Sequence, residues 1–297
     1  MTLVKSLLTP KELADAIGAS ESSVRRWVDD GDIRMSRTAG GHRRIPLAVA
    51  IQFIRKMGAT VIRPDILGLG DVLRDGTATV ESSDEQRLFE CLQAGDRILT
   101  RGMLVSWYLD GRSLPSLFDG PVRSAFDRLG EVWKHDERGI LTEHRATEIS
   151  IEAIAMLRSA LPPVDENAPL ALGGAPQGDP YQLPSLMAGT ILAEAGFRDV
   201  NFGANTPVEL LGKEAVERGA RLIWLSISAH QESKALQVSI RKVAALLAKK
   251  RVDLVLGGRY ASEVAPRDLK NVRQIGSMSE LVELAREIKS GRTRGQR

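Results

Sequence analysis

Apolar residues along this chain of 297 residues recur in three successive rhythms, and each rhythm predicts a different architecture. The first runs from Thr9 to Gly58. Leu13, Ala14 and Ile17 repeat at helical spacing behind a Thr9-Pro10-Lys11-Glu12 start. There Thr9 can cap the helix, Pro10 suits its first position, and Glu12 completes a capping box. Gly18 ends this helix, and Ser20 caps a second in which Val24, Trp27 and Val28 face inward. Ile33 to Ile45 predicts a two-stranded wing turning at Gly40 and Gly41, and Pro46 opens a third helix over Leu47 to Lys56. A poorly periodic connector follows, from Gly58 to about Ser82. In the second rhythm Leu88, Leu92, Ile98 and Leu99 recur at helical spacing. Further helices are expected over 101–110, 120–136 and 140–160, with breaks at Gly111, Gly120 and Gly139. Four antiparallel helices predict a small bundle. The third rhythm alternates short apolar strands with helices. Strands are expected at Leu170–Gly174, Asp199–Gly203, Leu222–Ser228, Leu254–Gly258 and Val272–Ile275. Helices fall between them, with a last one from Ser279. That order predicts a doubly wound parallel sheet. Its ligand loops would lie at the carboxyl ends of the strands, at 173–184, 226–230 and 257–260.

The expected organisation is therefore a winged helix-turn-helix over 1–58, a linker over 59–81, a four-helix bundle over 82–163 and an α/β domain over 166–297. Charge sharpens the first of these. The net charge is +3, yet residues 1–58 hold ten Lys/Arg against six Asp/Glu, while the remainder holds 31 against 32. The positive excess sits where a phosphate-binding module needs it. Cys91 is the sole cysteine, which excludes an internal disulfide and a cysteine zinc site. No secretory signal and no membrane-length apolar run stands out, so a cytoplasmic setting is expected.

The outward face of the second helix carries Glu21, Ser22, Ser23, Arg25 and Arg26. Ser22, Ser23 and Arg26 are candidates for base edges. Arg25 and Arg43 are candidates for phosphates, with Arg37, His42 and Arg44 on the wing beside them. In combination, Arg25-Arg26-Trp27 and Gly40-Gly41-His42-Arg43-Arg44 resemble the MerR-type winged helix-turn-helix. The resemblance implies binding to a symmetric double-stranded DNA operator as a dimer or a higher assembly. The module is too short to hold the usual dimerising coiled coil, so assembly into a dimer or tetramer would come from the rest of the chain.

Trp133 is followed after nine residues by Glu143-His144. Spacing alone favours a core tryptophan and two surface residues. A bundle followed directly by a five-strand domain, however, resembles the cobalamin-binding module of corrinoid proteins. With the N-terminal module, the whole chain is similar to light-responsive cobalamin-dependent repressors of the CarH and LitR type. The resemblance implies that Trp133, Glu143 and His144 lie over the upper face of the corrin, beside an adenosyl group. It implies that Ser226 and Ser228 line the pocket of the nucleotide tail, and that Gly257 and Gly258 let the tail's base approach the backbone. Asp179 matches the acidic residue of the family's first loop. Tyr181 stands where the family's lower-ligand His is expected, and Pro184 where a Gly is expected. Neutral tyrosine is a poor substitute for imidazole on cobalt. Lys134 follows Trp133, with His135 one position later than in light-sensing members.

Three readings follow. The chain binds adenosylcobalamin without a protein lower ligand, or it binds haem or a bilin with His144 or His135 in contact, or it has no cofactor and answers to a protein partner. In each it is a transcription regulator, expected to repress, and ligand or light would act by shifting its oligomerisation on DNA. The competing class is a corrinoid methyl carrier. That chemistry uses the missing histidine, so no enzyme activity is expected. No metal site is expected, and Gly173-Gly174 lacks the spacing of a dinucleotide loop.

Overall fold

The computed structural model describes residues 7–37, 41–67, 83–133, 138–230 and 233–290. Lys134, His135 and most of the expected linker lie outside them, and so do the side chains of Arg37 and Trp133. The chain forms two compact units, Met1–Pro163 and Val164–Arg297. None of the described helices is long and apolar enough to cross a membrane.

The first unit begins with β1 (Leu7–Leu8), α1 (Pro10–Ile17), α2 (Glu21–Asp29), β2 (Ser36–Arg37), β3 (Arg43–Pro46) and α3 (Leu47–Met57). The capping box is complete: Thr9 Oγ1 accepts from the Glu12 amide at 3.2 Å, and the Thr9 amide donates to Glu12 Oε2 at 2.7 Å. Gly18 closes α1 in the left-handed region at φ 69°, where other residues are strained. Ser20 then caps α2 through the Ser23 amide at 3.1 Å. Leu13, Ala14, Val24, Ile33, Ile45, Ala50, Ile51 and Ile54 are buried between these elements. Trp27 meets Phe53 with ring centroids 5.0 Å apart. Strand β1, too short to show a period in sequence, pairs antiparallel with β3 and completes a sheet of order β1-β3-β2.

The start of the expected linker is folded onto this domain. The amides of Ile62 and Arg63 donate to Ala16 O at 2.8 and 3.1 Å, and a 3-10 turn at Pro64–Leu67 buries Leu67. Burying one leucine against α1 outweighs the lack of periodicity in that segment.

The bundle comprises α4 (Asp84–Ala94), α5 (Arg97–Leu109), α7 (Arg123–Trp133) and α8 (Gly139–Ser159), with a short α6 (Leu114–Leu117) between α5 and α7. One sequence expectation needs correction. Leu88 to Leu99 do not share one helix: Gly95 adopts φ 79°, and Asp96 caps α5 through the Leu99 amide at 2.9 Å. The break expected at Gly120 is present: its backbone leaves the helical region at φ −93° and ψ −106°, and the chain kinks there, past Pro121, between α6 and α7. Leu88, Leu92, Leu104, Tyr108, Leu129, Ile149, Ile154 and Leu157 form the apolar interior. Burial pushes the Cys91 thiol pKa up, and its Sγ lies 3.7 Å from Met103 Sδ, which argues against a reactive thiolate.

Helix α3 also docks on the bundle. Gln52 Nε2 donates to the Tyr108 hydroxyl at 3.1 Å and to Ala160 O, just past α8, at 3.3 Å. The Arg55 guanidinium stacks 3.6 Å from the Tyr108 ring centroid and donates to Arg112 O at 3.1 Å.

The second unit holds β4 (Leu170–Gly174), α9 (Leu183–Glu194), β5 (Arg198–Asn201), α10 (Val208–Glu217), β6 (Leu222–Ser226), α11 (Ser233–Ala248), β7 (Asp253–Gly257), α12 (Ala261–Val264), β8 (Val272–Gln274) and α13 (Met278–Lys289). All strand pairs are parallel, in the order β5-β4-β6-β7-β8. The strand order reverses between β4 and β6, so a ligand crevice belongs outside their carboxyl ends. One face of the sheet is aliphatic: Leu170, Leu172, Ile223, Leu225, Ile227, Leu254 and Leu256 bury against α10 and α11. By strand alternation the opposite face presents Ala171, Gly173, Trp224, Ser226 and Gly257, with α9 packed over it.

Candidate functional site

The first candidate site is the outer surface of α2 and the wing. Ser22, Arg25, Arg26 and His42 are exposed, while Ser23, Arg43 and Arg44 are half-buried. Ser20 Oγ lies 2.8 Å from Ser22 Oγ and 2.9 Å from Ser23 Oγ, so the three hydroxyls form one cluster at the start of α2. Arg25 pairs with Glu21 at 2.6 Å along the helix. Arg43 pairs with Asp29 at 2.9 Å, joining the first residue of β3 to the last of α2. The wing and the recognition helix are thereby held together at one side of the module. Arg26 is exposed, and its guanidinium has no ion-pair partner among the described residues. Arg44 Nη1 donates to Arg43 O at 3.1 Å. Arg37 lies on β2 opposite Arg43 in register.

The remaining candidate residues fall in each of the two units. In the bundle, α8 carries a half-buried Glu143 and an exposed His144 near its start, beside Leu141, which is 72% exposed. Trp133 ends α7. Among the described residues no three His, Cys, Asp or Glu side chains converge to hold a metal ion.

In the α/β unit, Asp179, Tyr181, Ser226, Ser228, Gly257 and Gly258 all fall at the carboxyl edge of the sheet, where sequence reasoning put them. Asp179 is completely buried. Its Oδ2 accepts from the amides of Ser228 (2.6 Å) and Ala229 (2.9 Å), and its Oδ1 from the Tyr181 amide (3.0 Å). The carboxylate therefore ties the loop after β4 to the loop after β6, across the crevice itself. The loop after β5 joins them: Asn205 Oδ1 accepts from the Gly178 amide at 3.0 Å, and the Asn205 amide donates to Asp179 O at 3.1 Å. Tyr181 stands outward, 41% exposed. Gly258 adopts φ 100°, and a Cβ there would collide with the Ile227 backbone. Its glycine is demanded by the chain's own approach. His230 and Tyr260 stack edge to face at 5.5 Å beyond it.

Residues that sequence reasoning missed lie beneath this edge. Trp224 is 2% exposed, and its ring lies flat against Gly173. Its Nε1 donates to Ser185 Oγ at 3.0 Å, Ser185 Oγ donates to Asn201 Oδ1 at 2.9 Å, and the Gly203 amide donates to the same Asn201 oxygen at 2.9 Å. The signal in the sequence was a tryptophan in an apolar strand, with a second strand that ends in Gly173-Gly174.

Comparisons with known proteins can now be set beside this geometry. Residues 7–56 match the helix-turn-helix domain family. No curated protein sequence matches the chain. Among solved structures, the monomethylamine corrinoid protein of Methanosarcina barkeri is similar at 16% identity and a TM-score of 0.50, over 68% of this chain and 96% of its own. The chain joins a helix-turn-helix domain to a corrinoid-type fold. A cobalamin-binding protein from Desulfitobacterium hafniense DCB-2 matches at 16% identity over 69% of this chain and 98% of its own, with a TM-score of 0.36. The methanol:cobalamin methyltransferase complex of Methanosarcina barkeri matches at 12% over 71% and 81%, with a TM-score of 0.35. The likeness rests on the first of these and concerns architecture alone.

The residues at the sheet edge do not fit a cobalamin held as the resemblance implies. The lower-ligand position carries a phenol in place of an imidazole. The carboxylate that would orient such an imidazole is buried and bonded to three backbone amides.

Proposed function

We propose that the protein is a cytoplasmic MerR-type transcription regulator that represses by binding an operator as a homo-oligomer, dimer or tetramer. The observation that carries the reading is the capped helix α2 with the wing pinned beside it by Arg43 and Asp29. Ser22, Ser23 and Arg26 read base edges in the major groove. Arg25, Arg37, His42, Arg43 and Arg44 meet phosphates. Control enters through the rest of the chain, because α3 is docked on the bundle through Gln52 and Arg55. The chain is not an enzyme in this reading: a methyl carrier needs a cobalt ligand where Tyr181 stands.

The test is selection of DNA sequences by the full chain, followed by footprinting. Two related half-sites about one helical turn apart are expected, with binding lost in Arg26→Ala. Salt-sensitive binding with no sequence preference would overturn the operator reading. A second reading gives the control signal to light or to a tetrapyrrole such as adenosylcobalamin, haem or a bilin. It is supported by the exposed His144 and Leu141 at the start of α8. Under it, the purified chain retains the pigment after desalting, and illumination changes both its spectrum and its assembly size. A chain that retains none of them would leave control to a protein partner.

A further inference from the structure

The face of the sheet that packs on α9 is built almost entirely of small residues in its carboxyl half. Gly173 of β4, Ser226 of β6 and Gly257 of β7 lie there, and Gly189 of α9 faces Asp199 and the Trp224 ring. Gly173 is in register with Trp224, and Ser226 with Gly257. Small side chains on facing layers leave a slot, and interiors do not tolerate an empty slot of that size. Here it is filled from within, by Trp224 beside Gly173 and Gly189 and by Ile275 against Gly257. A Cβ on Gly173 would fall inside the Trp224 ring, and a Cβ on Gly189 would come within 3.3 Å of Trp224 Cζ2. The indole nitrogen is satisfied by Ser185 of α9, and that bond holds the ring in place.

We propose that Trp224 is a built-in occupant of the slot that a corrinoid's nucleotide tail would enter. Its indole takes the place of the tail's fused bicyclic base. The argument rests on the corrinoid-type reading of the α/β unit, because that reading puts the tail beside Ser226 and Gly257. Three features agree. Two glycines, Gly173 and Gly189, border a flat aromatic ring on the face that also carries Ser226 and Gly257. A ring fills it, with its single polar atom hydrogen-bonded. The entrance above it is bridged by Asp179. A tetrapyrrole that meets this chain does so without inserting a tail, so tail-less macrocycles lose nothing relative to cobalamin.

The full chain would be titrated with adenosylcobalamin and with adenosylcobinamide, which lacks the tail, while the Trp224 Nε1–H is followed by hydrogen exchange. Equal affinities, or no binding of either, together with an unchanged, protected indole are expected. Preference for cobalamin by about tenfold or more, with loss of indole protection, would overturn the proposal. In Trp224→Gly, free indole or 5,6-dimethylbenzimidazole should raise the melting temperature by filling the vacated slot. A folded variant that responds to neither would also overturn it. If that variant does not fold, the wild-type comparison decides alone. Failure of the regulator reading would appear separately, as loss of selective DNA binding with this slot unaffected.

Discussion

Arg43 separates a contact with DNA from a strut within the protein. Its guanidinium sits 2.9 Å from Asp29, with the two side chains 29% and 60% exposed. A pair so open to solvent contributes about 0.2–1 kcal/mol to folding. Arg43→Ala should therefore leave the melting temperature nearly unchanged. If Arg43 neutralises one phosphate, its loss lowers the slope of log affinity against log salt by about 0.9. Over a fourfold range of salt, that slope difference amounts to about a 3.5-fold change in relative affinity. Asp29→Asn tests the same geometry from the other side. It releases Arg43 and removes a negative charge beside the backbone, so affinity should rise without a lower slope. Both are measured by fluorescence anisotropy of a labelled operator fragment from about 50 to 200 mM salt. If Arg43→Ala weakens binding equally at every salt concentration, Arg43 positions the wing and contacts no phosphate.

Other substitutions probe the second unit. Asp179→Asn turns amide hydrogens toward backbone donors and should cost at least about 2 kcal/mol, with faster exchange at the Ser228 and Ala229 amides; unchanged exchange there would remove Asp179 as the tie between loops. Gly173→Ala should destabilise by about 1–3 kcal/mol, and much less in a Trp224→Ala background; additive effects in urea denaturation would show that the ring does not meet Gly173. Burial raises the Asp253 carboxyl pKa, and Arg273 and Arg221 offset this only in part. The folded state therefore favours the protonated acid. That contribution is full below the ordinary carboxylate range and is lost as pH rises through the raised value. Asp253→Asn should consequently be more stable than the parent at neutral pH, with the advantage shrinking on acidification. An advantage independent of pH would rule out this cause.

What was legible in the sequence is what neighbouring residues decide among themselves. Thr9 with Glu12, Ser20 before α2, and the alternation from Leu170 to Ile275 depend on a few adjacent positions, so caps, helices and the parallel sheet could be read directly. The break at Gly95 escaped because Leu88, Leu92, Ile98 and Leu99 keep a helical rhythm across it. Only the left-handed turn and the Asp96 cap reveal two helices. The candidate site was legible as a set of loops but not as chemistry. Asp179 matched a pattern, yet its Oδ2 meets amides some 50 positions away, at Ser228 and Ala229. Trp224 read as one more apolar residue of a buried strand. Its role depends on glycines from β4 and α9 arriving on the same side of the sheet, which no local pattern encodes.

Helix α8 runs unbroken from Gly139 to Ser159, a rod of about 30 Å. One end shows Glu143 and His144. Just past the other, the Ala160 carbonyl is held by Gln52 of the DNA-binding domain. Under the proposed function, a rod pinned in this way would act as a lever: a small tilt at His144 would move the seat of α3, and with it the angle at which α2 would meet a groove. Levers work in both directions. By thermodynamic reciprocity, any free energy that a signal at His144 exerted on operator affinity the operator would exert on the signal. Operator DNA would then act as an effector of the sensor, and occupancy of the gene would set the sensitivity of the switch.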